Sequence, residues 1–596
     1  MSDYRPPLRD MKFVLEHLVD LDTIAEFPGY EHVDRELSFS ALDEAGRFMA
    51  EVIAPTNRIG DEVGAAIDPK GTVTLAPEIK RAYEQFVTAG WGAVKSTAEY
   101  GGHGFPTVVG IPVMEMLTSA NMAFSLCPML TASAILALDQ HGSDELKAVY
   151  LEKLISGEWT GTMVLTESEA GSDVGAVRTK AEPQDDGTWR IYGNKIFITW
   201  GDHDVADNII HLVLARVPDA PPGTKGISLF IVPKYLVNPD GSRGERNDVT
   251  AVSLEHKLGI HSSPTAVMAF GENGGAIGYL VGEVNQGMRY MFTMMNDARL
   301  HVGLEGLGIA ERAYQQAVDY AKERRQGRAI GTRPPETSPI IEHPDVRRML
   351  MTMRANIEAM RALMYDNAAA LDWAENGPDE EARQFGAARA ALLTPVSKAW
   401  GTDLGVELTS LGVQIHGGMG FVEETGAAQH YRDARIAPIY EGTNGIQAID
   451  LVLRKLPMAD GAVVTGYLSE MAALDGEFEG HDDLASIRIN LDDGVALLAE
   501  ATEWLAAAED VNDRLAGASP YLRMFGVVAG GYYLAKSALV ATRLLNNGAG
   551  DRFLEAKVVT ARFYAEQILP QAAGLLPAVT RGAAPLFAID DELMGV

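Results

Sequence analysis

The chain has 596 residues and a formal net charge of −32, from 82 acidic and 50 basic side chains. A hydrophobic content of 47% with 22% charged residues is typical of folded globular protein and argues against disorder. Because nucleic acid and anionic membrane surfaces would repel this charge, we expect neither as a partner. Single cores rarely grow beyond about 250–300 residues, so we expect several domains.

Cysteine content and hydropathy bear on the compartment. Cys127 is the one cysteine, which excludes an intramolecular disulfide and fits a reducing compartment. Its apolar neighbours, among them Phe124 and Leu130, favour a small core residue over a nucleophile. The N-terminus lacks the basic start and apolar stretch of a secretory signal, and no segment offers ~20 uninterrupted apolar residues. We therefore expect a cytoplasmic protein without a membrane segment, in which the apolar stretch from Met524 to Leu534 is a buried helix.

Apolar periodicity divides the chain into four blocks. A helical domain, a β-barrel or sandwich domain and two further helical domains are predicted at residues 1–160, 161–285, 286–457 and 458–596. The predicted fold class is therefore α+β and mostly α. In the β block, the turn Asp185-Asp186-Gly187 directly precedes the apolar run Trp189–Tyr192, as in a hairpin. In the third block, Pro344 predicts the start of a long helix over 346–364, because proline suits the first helical position.

Three groups of motifs point to the chemistry. The first is Leu165-Thr166-Glu167 with Ala170-Gly171-Ser172-Asp173, and the second is Lys195-Ile196-Phe197-Ile198-Thr199. The third runs through Gln414-Ile415-His416-Gly417-Gly418-Met419-Gly420-Phe421, Tyr431-Arg432-Asp433-Ala434-Arg435 and Ile439-Tyr440-Glu441-Gly442-Thr443. In this order they closely resemble the acyl-CoA dehydrogenases, flavoenzymes that desaturate acyl-CoA thioesters between Cα and Cβ. The resemblance covers roughly residues 30 to 455 and implies a four-helix bundle in the third block.

A redox cofactor is required, because no side chain accepts the hydride that leaves the β-carbon. Gly306-Leu307-Gly308 lacks the strand context and the third glycine of a dinucleotide fingerprint, so we interpret it as helix packing and disfavour NAD. The resemblance implies FAD instead. Thr166 and Thr199 match the threonines that face the isoalloxazine, the latter near N5, where the hydride arrives. Phe197 matches the aromatic residue on the flavin ring; the alternatives are an ordinary strand threonine and an ordinary core phenylalanine.

The resemblance also assigns the remaining contacts. Cofactor contacts are expected at Thr166, Ser172, Phe197, Thr199, Arg324, Gln414, Gly417, Gly418 and Thr443, and substrate contacts at Ser172, Asn296, Arg299 and Gly442. No metal site is expected. Arg324 matches an arginine that reaches the FAD pyrophosphate of a neighbouring subunit, and the Gln414–Gly418 segment receives the adenosine end across subunits. A monomer would then have an incomplete site. The alternative for Arg299 is a solvated or ion-paired helix arginine.

Glu441 is the candidate base that removes the α-proton. A carboxylate suits this role if partial desolvation raises its pKa toward the working pH, and Ile439 and Tyr440 supply an apolar flank. The resemblance implies that the backbone N–H of Glu441, with a flavin ribityl hydroxyl, polarises the thioester carbonyl, as in an oxyanion hole. The alternative places Glu441 in the first turn of a helix that Thr443 caps. Glu423 and Glu424 are the alternative carboxylates.

Departures from the family pattern point to one branch of it. The segment Glu323–Arg328 is one residue short and lacks an aromatic, Gly445 replaces a frequent glutamine, and Asn296 replaces a frequent aspartate. Together with the extra C-terminal block and the N-terminal lead Tyr4–Phe13, the short segment resembles an enlarged bacterial branch. That branch includes enzymes acting on 3-methylmercaptopropionyl-CoA in dimethylsulfoniopropionate breakdown.

The resemblance implies acyl-CoA and electron-transfer flavoprotein as partners. The extra block is expected to cover the surface that builds a tetramer in the family, which leaves a homodimer. The alternatives are a long- or medium-chain fatty acyl-CoA dehydrogenase, a glutaryl-type decarboxylating enzyme and an acyl-CoA oxidase. A DNA-binding relative is a further alternative, which the charge of −32 disfavours.

Overall fold

Residues 4–329, 337–548 and 550–595 are described by a computed structural model. Two units are distinguished within it. The first unit holds Leu42–Phe105 and Val113–His301, together with the N-terminal residues up to Pro6. The second unit holds Pro7–Ala41, Pro106–Pro112 and everything from Val302 onward.

Helices account for most of the chain before the main sheet, as the apolar spacing predicts. They are α1 (Leu8–His17), α2 (Leu21–Ala25), α3 (Arg35–Phe48), α4 (Thr56–Val63), α5 (Pro77–Thr88), α6 (Thr107–Ala120), α7 (Met122–His141) and α8 (Asp144–Ser156). Two short strands, β1 (Ala66–Ile67) and β2 (Val73–Thr74), interrupt them as an antiparallel pair. This small hairpin was not predicted.

The predicted sheet domain is confirmed in the first unit. Its strands are β3 (Trp159–Val164), β4 (Lys180–Pro183), β5 (Trp189–Thr199), β6 (Asn208–Ala215), β7 (Ser228–Pro233), β8 (Tyr235–Val237), β9 (Arg243–Arg246), β10 (Val249–Leu254), β11 (Thr265–Phe270) and β12 (Ala276–Val281). The main sheet has the order β10-β11-β5-β12-β7-β6-β3, with β4 also paired to β5, and β8 pairs β9 separately. Strands β3 and β6 are parallel, and the predicted turn at Asp185–Gly187 joins the antiparallel strands β4 and β5.

Helix α7 packs directly on strand β3. A Cβ atom on Gly161 would lie 2.5 Å from the Cβ of Ala134, so this strand position requires glycine. Beside it, the Gly161 N–H donates to Thr131 Oγ1 at 3.0 Å, and that hydroxyl donates to the carbonyl of Cys127 at 2.8 Å. Cys127 is 1% exposed, which confirms that it is a core residue. Burial raises the pKa of its thiol, so the reactive thiolate is disfavoured.

Long helices build the second unit. They are α9 (Gly287–Glu323), which begins in the first unit, α10 (Pro344–Asn376), α11 (Glu380–His416), α12 (Ala427–Ala434) and α13 (Asn444–Asp450). The predicted helix start at Pro344 is confirmed, and the helix is longer than predicted. Glycines allow α9 and α11 to approach closely, since a Cβ on Gly306 would lie 2.2 Å from the carbonyl oxygen of Gly401. Gly306, the first glycine of the predicted packing motif, therefore serves helix packing.

The extra C-terminal block docks on this bundle. It consists of α14 (Ala462–Ala473), α15 (Ala485–Ala507), α16 (Val511–Asn546), α17 (Arg552–Gln567) and α18 (Gln571–Thr580). The indole of Trp400, on α11, lies against α16, where a Cβ on Gly526 would be 2.3 Å from its Cγ. Gly530, one turn later, faces the same indole. A buried aromatic thus fits into a glycine groove and joins the block to the bundle.

Two of the described helices are long and apolar enough to cross a membrane by length and composition alone. They are Met122–His141 and Val511–Asn546, and their most apolar windows are 83% and 89% buried inside the protein. Such burial is typical of core helices. The stretch from Met524 to Leu534 lies in the second of them, so its expected burial is confirmed.

Candidate active site

The loop after β3 is tied to β5 by a buried ion pair. The Ile196 N–H donates to the carbonyl of Thr166 at 2.9 Å, which aligns the first two motifs. Lys195 is fully buried, and its Nζ donates to the carbonyl of Leu165 and to Glu167 Oε1, both at 2.8 Å. Burial lowers the pKa of Lys195 to about 8 against the opposing effect of Glu167. The pair fixes the loop that presents Thr166.

Phe197 lies in a strained and exposed position at the end of β5. The pairing of β5 with β11 shifts register between Lys195 and Ile198, as at a β-bulge. Phe197 has a φ of 58°, in the left-handed region that non-glycine residues rarely adopt. Its side chain is 59% exposed, so the interpretation as a core phenylalanine is wrong. Thr199 is half-buried at the last position of the strand.

The first unit also contains the predicted substrate residues Ser172, Asn296 and Arg299. Ser172 is exposed in the loop after Glu167, beside Gly171, around which a Cβ would meet open space. Asn296 is exposed near the start of α9, and its Oδ1 accepts from Arg299 Nη1 at 3.3 Å. Arg299 is only 7% exposed, so the interpretation as a solvated arginine is wrong.

Asp297, which the sequence did not suggest, anchors this part of α9. Its carboxylate accepts from Lys95 Nζ at 2.6 Å and from the hydroxyl of Ser133 at 2.8 Å. Burial alone would raise its pKa, but Lys95 and its other partners lower it to about 2. The ionised carboxylate therefore holds the helix turn that bears Asn296 and Arg299.

Glu441 lies in the second unit, in a turn between α12 and α13. Its φ is 55°, and that of Gly442 is 81°, so two consecutive residues have left-handed backbone. Helix α13 begins only at Asn444, so the interpretation of Glu441 as a first-turn residue is wrong. Thr443 is indeed the cap of that helix, since its Oγ1 accepts from the Ile446 N–H at 3.3 Å. Strained backbone of this kind clusters at functional sites.

Asn444 fastens the turn to α11. Its Nδ2 donates to Asp403 Oδ1 at 2.7 Å and to the carbonyl of Ala399 at 3.1 Å. Its Oδ1 accepts from Lys398 Nζ at 2.8 Å. Lys398 is fully buried. The side-chain amide of Asn444 therefore fixes the segment after Glu441 to α11 through both its donor and its acceptor atom.

Tyr440, on the other side of Glu441, is held by α9. Its hydroxyl donates to Glu305 Oε2. Tyr440 is half-buried, whereas Ile439 is 50% exposed, so Tyr440 contributes more of the predicted apolar flank. Neither Glu305 nor its bond to Tyr440 was predicted.

The ends of α9 and α11 bring together the residues predicted to reach a neighbouring cofactor. The rings of Tyr320 and His416 lie 4.4 Å apart, one turn before Arg324 and one residue before Gly417. All four predicted residues are exposed: Arg324, Gln414, Gly417 and Gly418. A Cβ on either glycine would meet open space. The two ends therefore form one accessible surface.

These features fit a flavin dinucleotide. The exposed ring of Phe197 offers an apolar face to a planar ring system, and the open glycine segments offer backbone groups to phosphates. Arg324 is exposed, and its guanidinium is the kind of group that suits a pyrophosphate. Donors and apolar surface of these kinds are those that FAD requires.

Models of known families match the chain over most of its length. The acyl-CoA dehydrogenase N-terminal, middle and C-terminal domains match residues 40–158, 162–272 and 285–456. A fourth, described as acetyl-CoA dehydrogenase C-terminal like, matches residues 466–590, within the extra helical block.

Similar proteins match nearly the whole length of the chain. The 3-methylmercaptopropionyl-CoA dehydrogenase of Ruegeria pomeroyi is 49% identical over 95% of this chain and 96% of its own. A butyryl-CoA dehydrogenase of Syntrophomonas wolfei is 35% identical, over 99% and 98%. The broad-specificity linear acyl-CoA dehydrogenase of Mycobacterium tuberculosis is 36% identical, over 96% of each.

Solved structures share the fold, including the extra block. Caenorhabditis elegans ACDH-11 in complex with C11-CoA matches with a TM-score of 0.74 and 21% identity, over 95% of this chain and 92% of its own. The acyl-CoA dehydrogenase of Bacillus anthracis complexed with FAD matches with a TM-score of 0.72 and 21% identity, over 96% and 91%. The chain is therefore a member of the acyl-CoA dehydrogenase family, an FAD-dependent enzyme of the enlarged form that carries an additional C-terminal domain.

Proposed function

We propose that the enzyme desaturates 3-methylmercaptopropionyl-CoA to the corresponding 2-enoyl-CoA. The observation that supports this substrate is the 49% identity to the Ruegeria pomeroyi enzyme named for it, over 95% of this chain. Identity to the butyryl-CoA and broad-specificity linear acyl-CoA enzymes is 35% and 36% over similar coverage. Straight-chain fatty acyl-CoA is the second candidate, supported by those two relatives.

Glu441 acts as the base in this proposal. Its carboxylate takes the α-proton of the thioester, and its backbone N–H donates to the thioester carbonyl as negative charge develops there. The left-handed backbone at Glu441 and Gly442 sets the direction of that N–H relative to the side chain. Gly442 contacts the substrate in this proposal. Bound FAD supplies the acceptor for the β-hydride.

The remaining predicted residues bind the cofactor and the CoA moiety. Thr166, Phe197 and Thr199 face the isoalloxazine, and Ser172 contacts a flavin phosphate and the pantetheine arm. Thr443 accepts from the Ile446 N–H, which leaves its own O–H free to donate to the cofactor. Asn296 and Arg299 contact the CoA, whose negative charge needs a local cation on a chain of net charge −32.

Electrons leave through an electron-transfer flavoprotein in this proposal, by analogy with the family. An acyl-CoA oxidase would pass them to oxygen instead. Rapid reoxidation of the substrate-reduced flavin in air would reveal the oxidase.

We place the enzyme in the cytoplasm, which the single buried cysteine supports. Fractionation of the native host would test this localisation.

Anaerobic titration of the purified enzyme with acyl-CoAs should bleach its flavin band most strongly with 3-methylmercaptopropionyl-CoA. The panel should also contain butyryl-, octanoyl-, palmitoyl- and glutaryl-CoA, so that chain length and decarboxylation are compared directly. Strongest bleaching by octanoyl- or palmitoyl-CoA would replace the proposed substrate with a fatty acyl chain. No bleaching by any of them would overturn the desaturation itself.

The native enzyme should be a homodimer. The C-terminal block packs Gly526 against Trp400 of the bundle, so this face of α11 is already covered within one chain. Light scattering should give the mass of two chains of 64.2 kDa each. A mass near four chains would contradict the proposed dimer.

Because Arg324 and the Gln414–Gly418 segment bind the cofactor of the neighbouring subunit in this proposal, Arg324→Ala should lose FAD while remaining dimeric.

A further inference from the structure

A second carboxyl group lies beside the proposed base and has no part in the mechanism so far. Glu305, on α9, is 1% exposed, and its Oε2 accepts from the hydroxyl of Tyr440. Its other oxygen, Oε1, is buried without a hydrogen-bond partner among the residues that the structure describes. Tyr440 directly precedes Glu441. A buried acid is thus linked through one side chain to the turn that bears the base.

The surroundings of Glu305 favour its neutral form. Burial raises the pKa of this carboxyl to about 8. This effect of burial is larger than the opposing effects of Tyr440 and Lys398, both of which lower the pKa. The charge of Glu441 raises it further. These three groups come from the two elements around it, the turn and α11, and Asp403 of α11 is bound to Asn444. Below about pH 8 the protonated acid therefore adds no second negative charge beside the base.

We propose that Glu305 and Tyr440 are a positioning pair for Glu441. Their hydrogen bond holds the main chain of Glu441 in its left-handed conformation, and the uncharged state of Glu305 spares the base a like charge. The inference rests on the proposed role of Glu441. Tyr440 holds the turn from one side, and Asn444 holds it from the other through α11. The strained residue between them is therefore fixed at both ends.

The closeness of Glu305 to Glu441 also affects the pH dependence of the reaction. When two carboxyl groups interact, their protons leave in two steps, and neither step belongs to one of the groups alone. Glu305 ionises in the upper step, and its negative charge then lies beside the proposed base. The rate of flavin reduction should therefore show two ionisations in the wild-type enzyme, the upper one near pH 8. Replacement of Glu305 by glutamine should leave one.

Stopped-flow reduction of the bound flavin by a saturating acyl-CoA, measured from pH 6 to pH 10, tests the pair. Glu305→Gln should lose the upper ionisation. Glu305→Leu should lower the rate about 10-fold, because the Tyr440 hydroxyl loses its acceptor and small misplacements of a base are costly. Glu305→Gln should recover most of that loss, since its amide oxygen still accepts from Tyr440. Glu381→Gln, the same charge change at an exposed site on α11, should keep the wild-type profile.

An upper ionisation that persists in Glu305→Gln would overturn the proposal, as would equal rates in the glutamine and leucine variants. If Glu305→Leu does not retain flavin, the pH profile of Glu305→Gln decides alone. Failure of the proposed function is recognised separately. In that case the wild-type flavin is not reduced, or Glu441→Gln is reduced at the wild-type rate.

Discussion

Replacing Glu441 with glutamine should lower turnover by at least about 100-fold, the low end for loss of a general base. Glutamine has nearly the same shape, but it cannot take the α-proton. The backbone N–H of residue 441 and the cap at Thr443 are unaffected, because neither depends on the carboxylate. The variant should therefore still bind FAD and acyl-CoA, and only the bleaching of the flavin should be lost.

Glu424→Gln is the matched control. Glu424 is exposed in the turn before α12 and was the alternative carboxylate, so the same charge change there should leave turnover at the wild-type level. Flavin content from the absorbance spectrum and ligand affinity from isothermal titration separate loss of chemistry from loss of binding. Normal turnover in Glu441→Gln, or a large loss in Glu424→Gln, would move the base elsewhere.

Much of the fold could be predicted from local patterns. The change from helical spacing to short apolar runs is visible in the sequence, and so are the hairpin turn at Asp185–Gly187 and the proline that starts α10. These features are recognisable because each depends on a few neighbouring residues. The β1–β2 pair was missed because two-residue strands have no periodicity to detect.

Candidate site residues could be predicted only where the family's chemistry follows contiguous motifs. Thr166, Phe197 and Glu441 each lie in a recognisable segment, but the strain at Phe197 and Glu441 depends on tertiary structure that no local pattern encodes. The supporting residues were missed for the same reason. Lys95 and Asp297 are 202 positions apart, and Glu305 and Tyr440 are 135 apart. The role of a buried polar side chain can be recognised only when its partner elsewhere in the sequence is known.

The attachment of the extra C-terminal block also could not be predicted, because it depends on a contact between residues that are far apart in the sequence. Lys557, on α17, is 1% exposed and pairs with Asp10 of α1, 547 positions away, and with Glu358 of α10 at 3.0 Å. Arg361, also of α10, pairs with Asp10 and reaches Glu311 of α9 at 2.8 Å. The N-terminal lead, the bundle and the C-terminal block are thus joined by one buried ion network.

Lys557→Met should therefore destabilise the protein by about 3–5 kcal/mol, the range for removing one partner of a buried ion pair. Methionine fills much of the same volume, so the loss should come from Asp10 and Glu358, which lose a cation that they share. The midpoint of urea denaturation should fall, as measured by circular dichroism, and protease should cut α1 sooner because Asp10 of that helix keeps only Arg361 of its two cationic partners.

Two variants show whether burial explains the size of this effect. Lys153→Met breaks an exposed pair with Glu158, in which the side chains are 35% and 42% exposed, and should cost at most about 1 kcal/mol. The double variant Asp10→Asn/Lys557→Met removes both opposite charges and should recover part of the loss. A loss in Lys557→Met no greater than in Lys153→Met would mean that the network is not what attaches the C-terminal block. The attachment would then rest on apolar contacts such as Trp400 in its glycine groove.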